Sequence, residues 1–177
     1  MKKKTLALVL ALTLLVAGVV GGTLAWLTDQ TAEVKNTFTV GDINIDLTET
    51  NRDYKMVPGN KLDKDPTVTV KANSEACWLF VQVTESTNLK DFITYAIAEG
   101  WTALPGVDGV YYREVPASNA DQTFPVLKGD AVTVNNTVTK AMLTAKDFAN
   151  PTLTFKAYAV QKDNVASASD AWAKVNP

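Results

Sequence analysis

Ala76-Cys77-Trp78-Leu79-Phe80-Val81-Gln82-Val83 is the stretch whose reading decides the fold. Its first positions are apolar on both parities, as expected of a strand in the middle of a sheet with both faces covered. Segments on either side alternate with a period of two. Asp42-Ile43-Asn44-Ile45-Asp46-Leu47 places Ile43, Ile45 and Leu47 on one face, and Thr67-Val68-Thr69-Val70-Lys71 alternates in the same way. Gly109-Val110-Tyr111-Tyr112-Arg113-Glu114-Val115 is rich in strand formers. Ala131-Val132-Thr133-Val134, Thr137-Val138-Thr139 and Thr152-Leu153-Thr154-Phe155-Lys156-Ala157-Tyr158-Ala159 read as further strands. Pro58-Gly59-Asn60, Pro105-Gly106, Asp108-Gly109 and Lys128-Gly129-Asp130 supply turns between them. Two stretches read as helices: Leu89, Phe92, Ile93 and Ile97 form one stripe with Asn88 as a cap, and residues 167–175 are Ala-rich with Asp170 and Trp172. The polar stretch 50–64 reads as a long surface loop. Short strands, regular turns and few helices predict an all-β protein, an antiparallel β-sandwich with one or two short helices.

The chain has 177 residues, a formal net charge of −2, one cysteine and no histidine. Without histidine, Ser-His-Asp and Cys-His catalysis and an HExxH zinc site are excluded. A single cysteine excludes an internal disulfide framework. Mild acidity gives no electrostatic reason to expect nucleic acid as a partner.

The amino terminus reads separately from the fold. Met1-Lys2-Lys3-Lys4 precedes a run from Thr5 to Thr28 with no charged residue. A basic start followed by an apolar run is the pattern of a secretory signal. Gly18, Gly21 and Gly22 loosen the end of that run, and Thr23-Leu24-Ala25 offers small residues at the −3 and −1 positions of a cleavage site, ahead of Trp26. Residues 1–25 are therefore expected to be a signal peptide. A retained anchor is the alternative, since ~20 apolar residues also span a bilayer. Either way the remainder lies outside the cytoplasmic membrane, and the uncleaved segment is the one membrane contact expected. Cleavage leaves 152 residues and removes three lysines and no acid, so the charge becomes −5.

Few constellations point to chemistry. Asp42-Ile43-Asn44-Ile45-Asp46 matches the start of a calcium loop, but the sixth position is Leu47 instead of Gly and the twelfth is Asp53 instead of Glu. A strand with a polar outer face is the simpler reading. Cys77 sits beside Trp78 in an apolar strand with no histidine to activate it, and reads as a buried small hydrophobe. Asn135-Asn136-Thr137 matches a glycosylation sequon and reads as exposed strand. Tyr111, Tyr112 and the four tryptophans at strand spacing read as core and cross-strand pairs before they read as a sugar platform. Lys61-Leu62-Asp63-Lys64-Asp65 mixes charge signs and reads as a solvated turn. Nothing sets two carboxylates on one cleft, so no enzyme activity and no cofactor is expected.

A longer arrangement is more specific. Gly21-Gly22-Thr23-Leu24-Ala25-Trp26-Leu27-Thr28-Asp29 is followed by Asn36-Thr37-Phe38-Thr39-Val40-Gly41 and by Ile43-Asn44-Ile45-Asp46-Leu47-Thr48-Glu49, with Val57-Pro58-Gly59 and Asp65-Pro66-Thr67-Val68 beyond. Over roughly residues 15–83 this resembles the TasA/camelysin family, whose leaders are cut by a SipW-type signal peptidase. The resemblance implies a jelly-roll-like sandwich, 41–177, secreted to the extracellular matrix or cell surface. It also implies assembly into biofilm-matrix fibres with other matrix components at hand. In that mode the first strand of one subunit fills a sheet of the next. Here the donor strand would be residues 26–40, with Trp26, Val34, Phe38 and Val40 sharing one parity. Camelysins have also been described as metalloproteases. The missing histidine keeps that activity from being carried over.

Strand donation is physically reasonable for this segment, because an added strand gains main-chain hydrogen bonds along its length while alternate side chains fill pockets. The contact is head-to-tail and does not close, so the partner is a further copy of the chain in a polymer. The competing expectation is a monomeric secreted or cell-surface β-sandwich that binds or adheres through loops, with residues 101–112 as the loop to test.

Overall fold

A computed structural model describes residues 42–50 and 54–175. Ten strands run in chain order through these residues: β1 Ile45–Thr48, β2 Lys61–Asp63, β3 Thr67–Val70, β4 Cys77–Glu85, β5 Ile93–Thr94, β6 Thr102–Ala103, β7 Val110–Val115, β8 Gln122–Pro125, β9 Ala131–Val134 and β10 Leu153–Gln161. Three short helices accompany them, α1 Leu89–Phe92, α2 Lys140–Leu143 and α3 Ala168–Val175, with a single 3-10 turn at Lys128–Asp130. The strands form three antiparallel sheets, in the orders β1-β3-β8, β10-β4-β7-β6 and β2-β9-β5. The protein is all-β, with helices confined to short covers.

β4 is the central strand that its two-sided apolar pattern predicts. It pairs along its whole length with β10, from Cys77↔Gln161 to Glu85↔Leu153, and on its other side with β7, from Cys77↔Val115 to Gln82↔Val110. The two parities of β4 feed two different clusters. Cys77, Leu79 and Val81 meet Val68 and Val70 of β3, together with Val115, Val126 and Trp101. Trp78 and Phe80 meet Ala168, Ala171 and Trp172 of α3. One face of the four-stranded sheet thus packs on the β1-β3-β8 sheet, and the other is covered by a helix. Each such buried Val, Leu or Phe contributes ~1.5–3 kcal/mol relative to exposure.

α3 forms where the Ala-rich stretch predicts. Ser167 Oγ accepts from the Asp170 amide at 3.1 Å and donates to the Asp170 carboxylate at 2.6 Å, satisfying an otherwise unpaired first-turn donor. The helix then seats Trp172 against Phe80 at 5.3 Å and edge-on to Tyr158 at 5.2 Å between ring centroids. Gly109, ahead of β7, comes close to β4. Its φ is +72°, and a Cβ there would lie 2.5 Å from the Val83 carbonyl oxygen, so glycine is required.

The third sheet has its own cluster, in which Leu89, Phe92 and Ile93 pack on Leu127, Val132, Val134 and Val138. Several sequence expectations are corrected here. Thr137-Val138-Thr139 is not a strand: Thr139 caps α2, its hydroxyl accepting from the Met142 amide at 3.3 Å, and Val138 tucks into the cluster. The Leu89–Ile97 stripe is not one helix. α1 lasts a single turn, Ile93–Thr94 then pairs with β9, and Ile97 bridges to Leu127. Asn88 does not cap it with its side chain, which instead accepts from Ser86 and donates to the Ala149 carbonyl. Lys61-Leu62-Asp63 is strand β2, paired with β9 through Leu62↔Val132, and is not a solvated turn. Among the described residues, the polar 50–64 loop ends at that strand.

Phe80 is fully buried between Trp172 and Tyr112. Phe80→Ala is expected to cost ~3–5 kcal/mol in urea unfolding, while Val57→Ser, at a 48% exposed position, stays within ~0.5 kcal/mol of wild type.

Candidate functional site

β1 and β10 each end the strand order of their sheet, so each has an outer edge that no other strand pairs among the described residues. The two edges lie close together, and between their ends opens a cavity of about 740 Å³. Leu47, Met56, Leu62, Val132, Leu153 and Phe155 supply much of its apolar lining. Several of these arrive there by parity. Leu47 lies on the inward face of β1, Leu62 is the one inward residue of β2, and Leu153 and Phe155 are alternate residues of β10.

One wall is polar. Lys64 Nζ lies 2.5 Å from Glu49 Oε1, and the Tyr54 hydroxyl donates to the same oxygen at 3.2 Å. The ammonium also lies 5.2 Å from the Tyr54 ring centroid and 5.4 Å from that of Phe155. Only 10% of the Lys64 side chain and 16% of the Glu49 side chain are exposed, so each charge depends on the other. Burial, and then the Glu49 carboxylate, pushes the Tyr54 phenol up to about 12. Beside this wall, the Thr50 hydroxyl and amide donate to Asp65 at 2.5 and 2.9 Å and hold that carboxyl below its ordinary range. With lysine and glutamate bound to each other, the site offers a slot with an apolar floor and a polar wall, beside two strand edges that are unpaired among the described residues. That arrangement suits the addition of an extended segment.

The sequence-derived candidates separate clearly. Thr23, Ala25 and Trp26 of the cleavage region, and Val34, Phe38 and Val40 of the donor segment, lie outside the described residues. Asp42 and Asp46 are exposed on the outer face of β1 and its lead-in, and Asn44 donates to Asp42 at 2.8 Å. Among the described residues, no group of three or more Asp, Glu, His or Cys is placed to hold a metal ion. Cys77 is fully buried, and burial pushes its thiol up to about 11. Asn135 of the sequon is used within the fold. Its side chain accepts from Thr94 at 2.5 Å and donates to the Lys90 carbonyl at 2.9 Å. The aromatics of segment 101–112 turn inward: Trp101 is 9% exposed and donates to the Pro125 carbonyl, and Tyr112 packs on Trp78 and Phe80.

The groove and its Lys64–Glu49 pair were not foreseen from the sequence. Glu49 and Lys64 are 15 positions apart, and only the fold makes them neighbours. Lys64 between two aspartates resembles any solvated charge run. Compared with family models, curated proteins and solved structures, the chain finds no match in any of the three.

Two outcomes follow for stability. Lys64→Met leaves Glu49 buried without a cation and is expected to cost ~2–3 kcal/mol, below the ~3–5 of a fully buried pair because some exposure remains. The Lys64→Met/Glu49→Leu double variant is expected to recover most of that loss in urea unfolding. For Cys77, the unfolded thiol ionises above about pH 9 whereas the folded one holds its proton to about 11. Its contribution is full below pH 9 and is lost as the pH rises to 11. Cys77→Ala is expected to flatten that part of the stability profile relative to wild type.

Proposed function

We propose that the protein is a secreted structural subunit that polymerises into extracellular biofilm-matrix fibres, with residues 26–40 of one copy donated to the groove of the next. The observation that carries this reading is the cavity at the ends of β1 and β10, part apolar and part polar, beside two outer edges that no other strand pairs among the described residues. The two facing sheets are read as a jelly-roll-like sandwich, to which the donor would add a missing strand. The donor is long enough: the nine residues of β10 extend over ~30 Å, and a fifteen-residue donor reaches up to ~50 Å. Val34, Phe38 and Val40 would point alternate side chains at Leu47, Leu153 and Phe155, while main-chain bonds form along the edges.

The donor lies directly before β1 in the chain, so a subunit gives a strand at one end and receives one at its groove. Such a contact repeats without closing and produces a filament. Cleavage after Ala25 by a SipW-type peptidase would release the donor from the membrane, which makes processing the licence for assembly. The TasA/camelysin resemblance of residues 15–83 supports the same reading. It assigns the protein no catalytic role and leaves other matrix components as secondary partners.

The mature secreted protein is expected to begin at Trp26 on amino-terminal sequencing and to form fibres visible by electron microscopy. Val34→Asp/Phe38→Asp is expected to remain folded and monomeric. Persistent monomers of the native Trp26 chain at high concentration would overturn the proposal in favour of a monomeric binding module.

A further inference from the structure

We infer that each subunit accepts a strand on one side only, because Arg113 and its neighbours seal the opposite side of the two packed sheets. This rests on the fibre reading and specifies its geometry. The side away from the groove is bounded by β8 in one sheet and by β6 and β7 in the other. Arg113 shares its parity with Tyr111 and Val115, the face of β7 that packs toward the β1-β3-β8 sheet. Its guanidinium lies 4.0 Å from the Phe124 ring centroid on β8 and 5.4 Å from that of Trp101, so it bridges the two sheets at their margin. Gly100 leaves room for it, since an added Cβ would meet Nη2 at 3.1 Å.

The bridge is charged and has no counter-ion among the described residues. Its Nε is buried with no hydrogen-bond acceptor, and among the described residues no carboxylate pairs with it. A strand entering here would have to displace the guanidinium or bury it completely with no neutralising partner. An inward-pointing charge near a sheet margin is a recognised defence against edge-to-edge pairing.

The backbone on this side is closed as well. Trp101 Nε1 donates to the Pro125 carbonyl at 2.8 Å, and Pro125 itself has no N–H to offer an incoming strand. Immediately beyond, Ala98 donates to Val126 and Lys128 to Ala96, both at 2.9 Å, so residues 96–98 run alongside this segment. β6 is two residues long, whereas β10 on the groove side presents nine residues without a proline. One donor and one acceptor side per subunit give an unbranched filament.

Disulfide coupling between mature full-length chains tests this, because the native Cys77 is fully buried. A Lys35→Cys chain, whose thiol has the outward parity of the donor, is mixed with either a Thr48→Cys chain, at the groove, or a Thr123→Cys chain, on β8. Thr48 and Thr123 are both exposed. Coupling to Thr48→Cys is expected to exceed coupling to Thr123→Cys by about tenfold or more. Adding Arg113→Leu to the Thr123→Cys chain is expected to raise that coupling and to give branched fibres, whereas Arg113→Lys is expected to keep the exclusion. Equal coupling at both positions with Arg113 intact overturns one-sided acceptance, and this comparison changes no residue of the seal. Continued exclusion in a folded Arg113→Leu chain overturns the role given to Arg113. No coupling at either position, with no fibres, overturns the fibre reading and this inference with it.

Discussion

β4 is the constraint on which the rest of the fold depends. Its residues are hydrogen-bonded to β10 on one side and to β7 on the other, and both of its faces are covered. The faces differ in size. Cys77, Leu79 and Val81 fit the space between two sheets, while Trp78 and Phe80 fill the deeper space under α3. A shift of one residue would exchange them, placing indole and phenyl rings between the sheets and leaving voids beneath the helix. Overpacking of that kind costs ~1–3 kcal/mol per site, with cavity terms added on the other face. Register is therefore strongly specified, and with it the alignment of every strand paired to β4.

Fixing β4 at the centre also decides where the edges fall. Among the described residues β10 is paired by β4 alone, which leaves its far side without a strand partner there along nine residues. Among the described residues β1 is paired by β3 alone. Two edges without a strand partner among the described residues on one side, and a differently built margin on the other, make the fold asymmetric, which is what the proposed polar polymer requires. No internal disulfide reinforces the fold. The single cysteine is consumed as core, and stability rests on three apolar clusters.

Much of this architecture could be read directly from residue patterns. Alternation identified β1, β3 and β10, strand-forming composition marked β7 and β9, and the two-sided apolar run identified β4. The Ala-rich stretch with Asp170 and Trp172 marked α3. The patterns failed where a tertiary neighbour supplies the reason for the structure. β2 is a strand because Leu62 lies opposite Val132, yet its flanking lysine and aspartate look like a turn. β8 carries Pro125 at its end and has only a four-residue ladder with β3 to define it. Thr137-Val138-Thr139 has strand composition, but Thr139 finds a helix amide to cap. The candidate groove was invisible for the same reason. Its lining comes from segments scattered over more than a hundred positions, and neither Lys64 nor Arg113 carries a local signal of what it faces.

The start of the described chain bears on how such a polymer would carry load. Before β1 begins, the Asp42 carbonyl accepts from the Glu75 amide at 3.1 Å, and the Asn44 amide donates to Ser74 Oγ at 3.2 Å. The Asn44 carbonyl accepts from the Lys71 amide at 2.8 Å, and the β1–β3 ladder follows, from Ile45↔Val70 to Thr48↔Thr67. In the proposed fibre, tension on a donated segment enters the donor subunit at this point. It would be met first by these bonds, and a pull along β1 would load the whole ladder. Bonds loaded together in shear share the force, whereas a strand peeled from its end would lose them one at a time. An anchored first strand next to the donor thus matches the mechanical requirement of a head-to-tail filament. In the proposed fibre the donor segment 26–40 and this anchor would follow one another in the sequence, with only Gly41 between them.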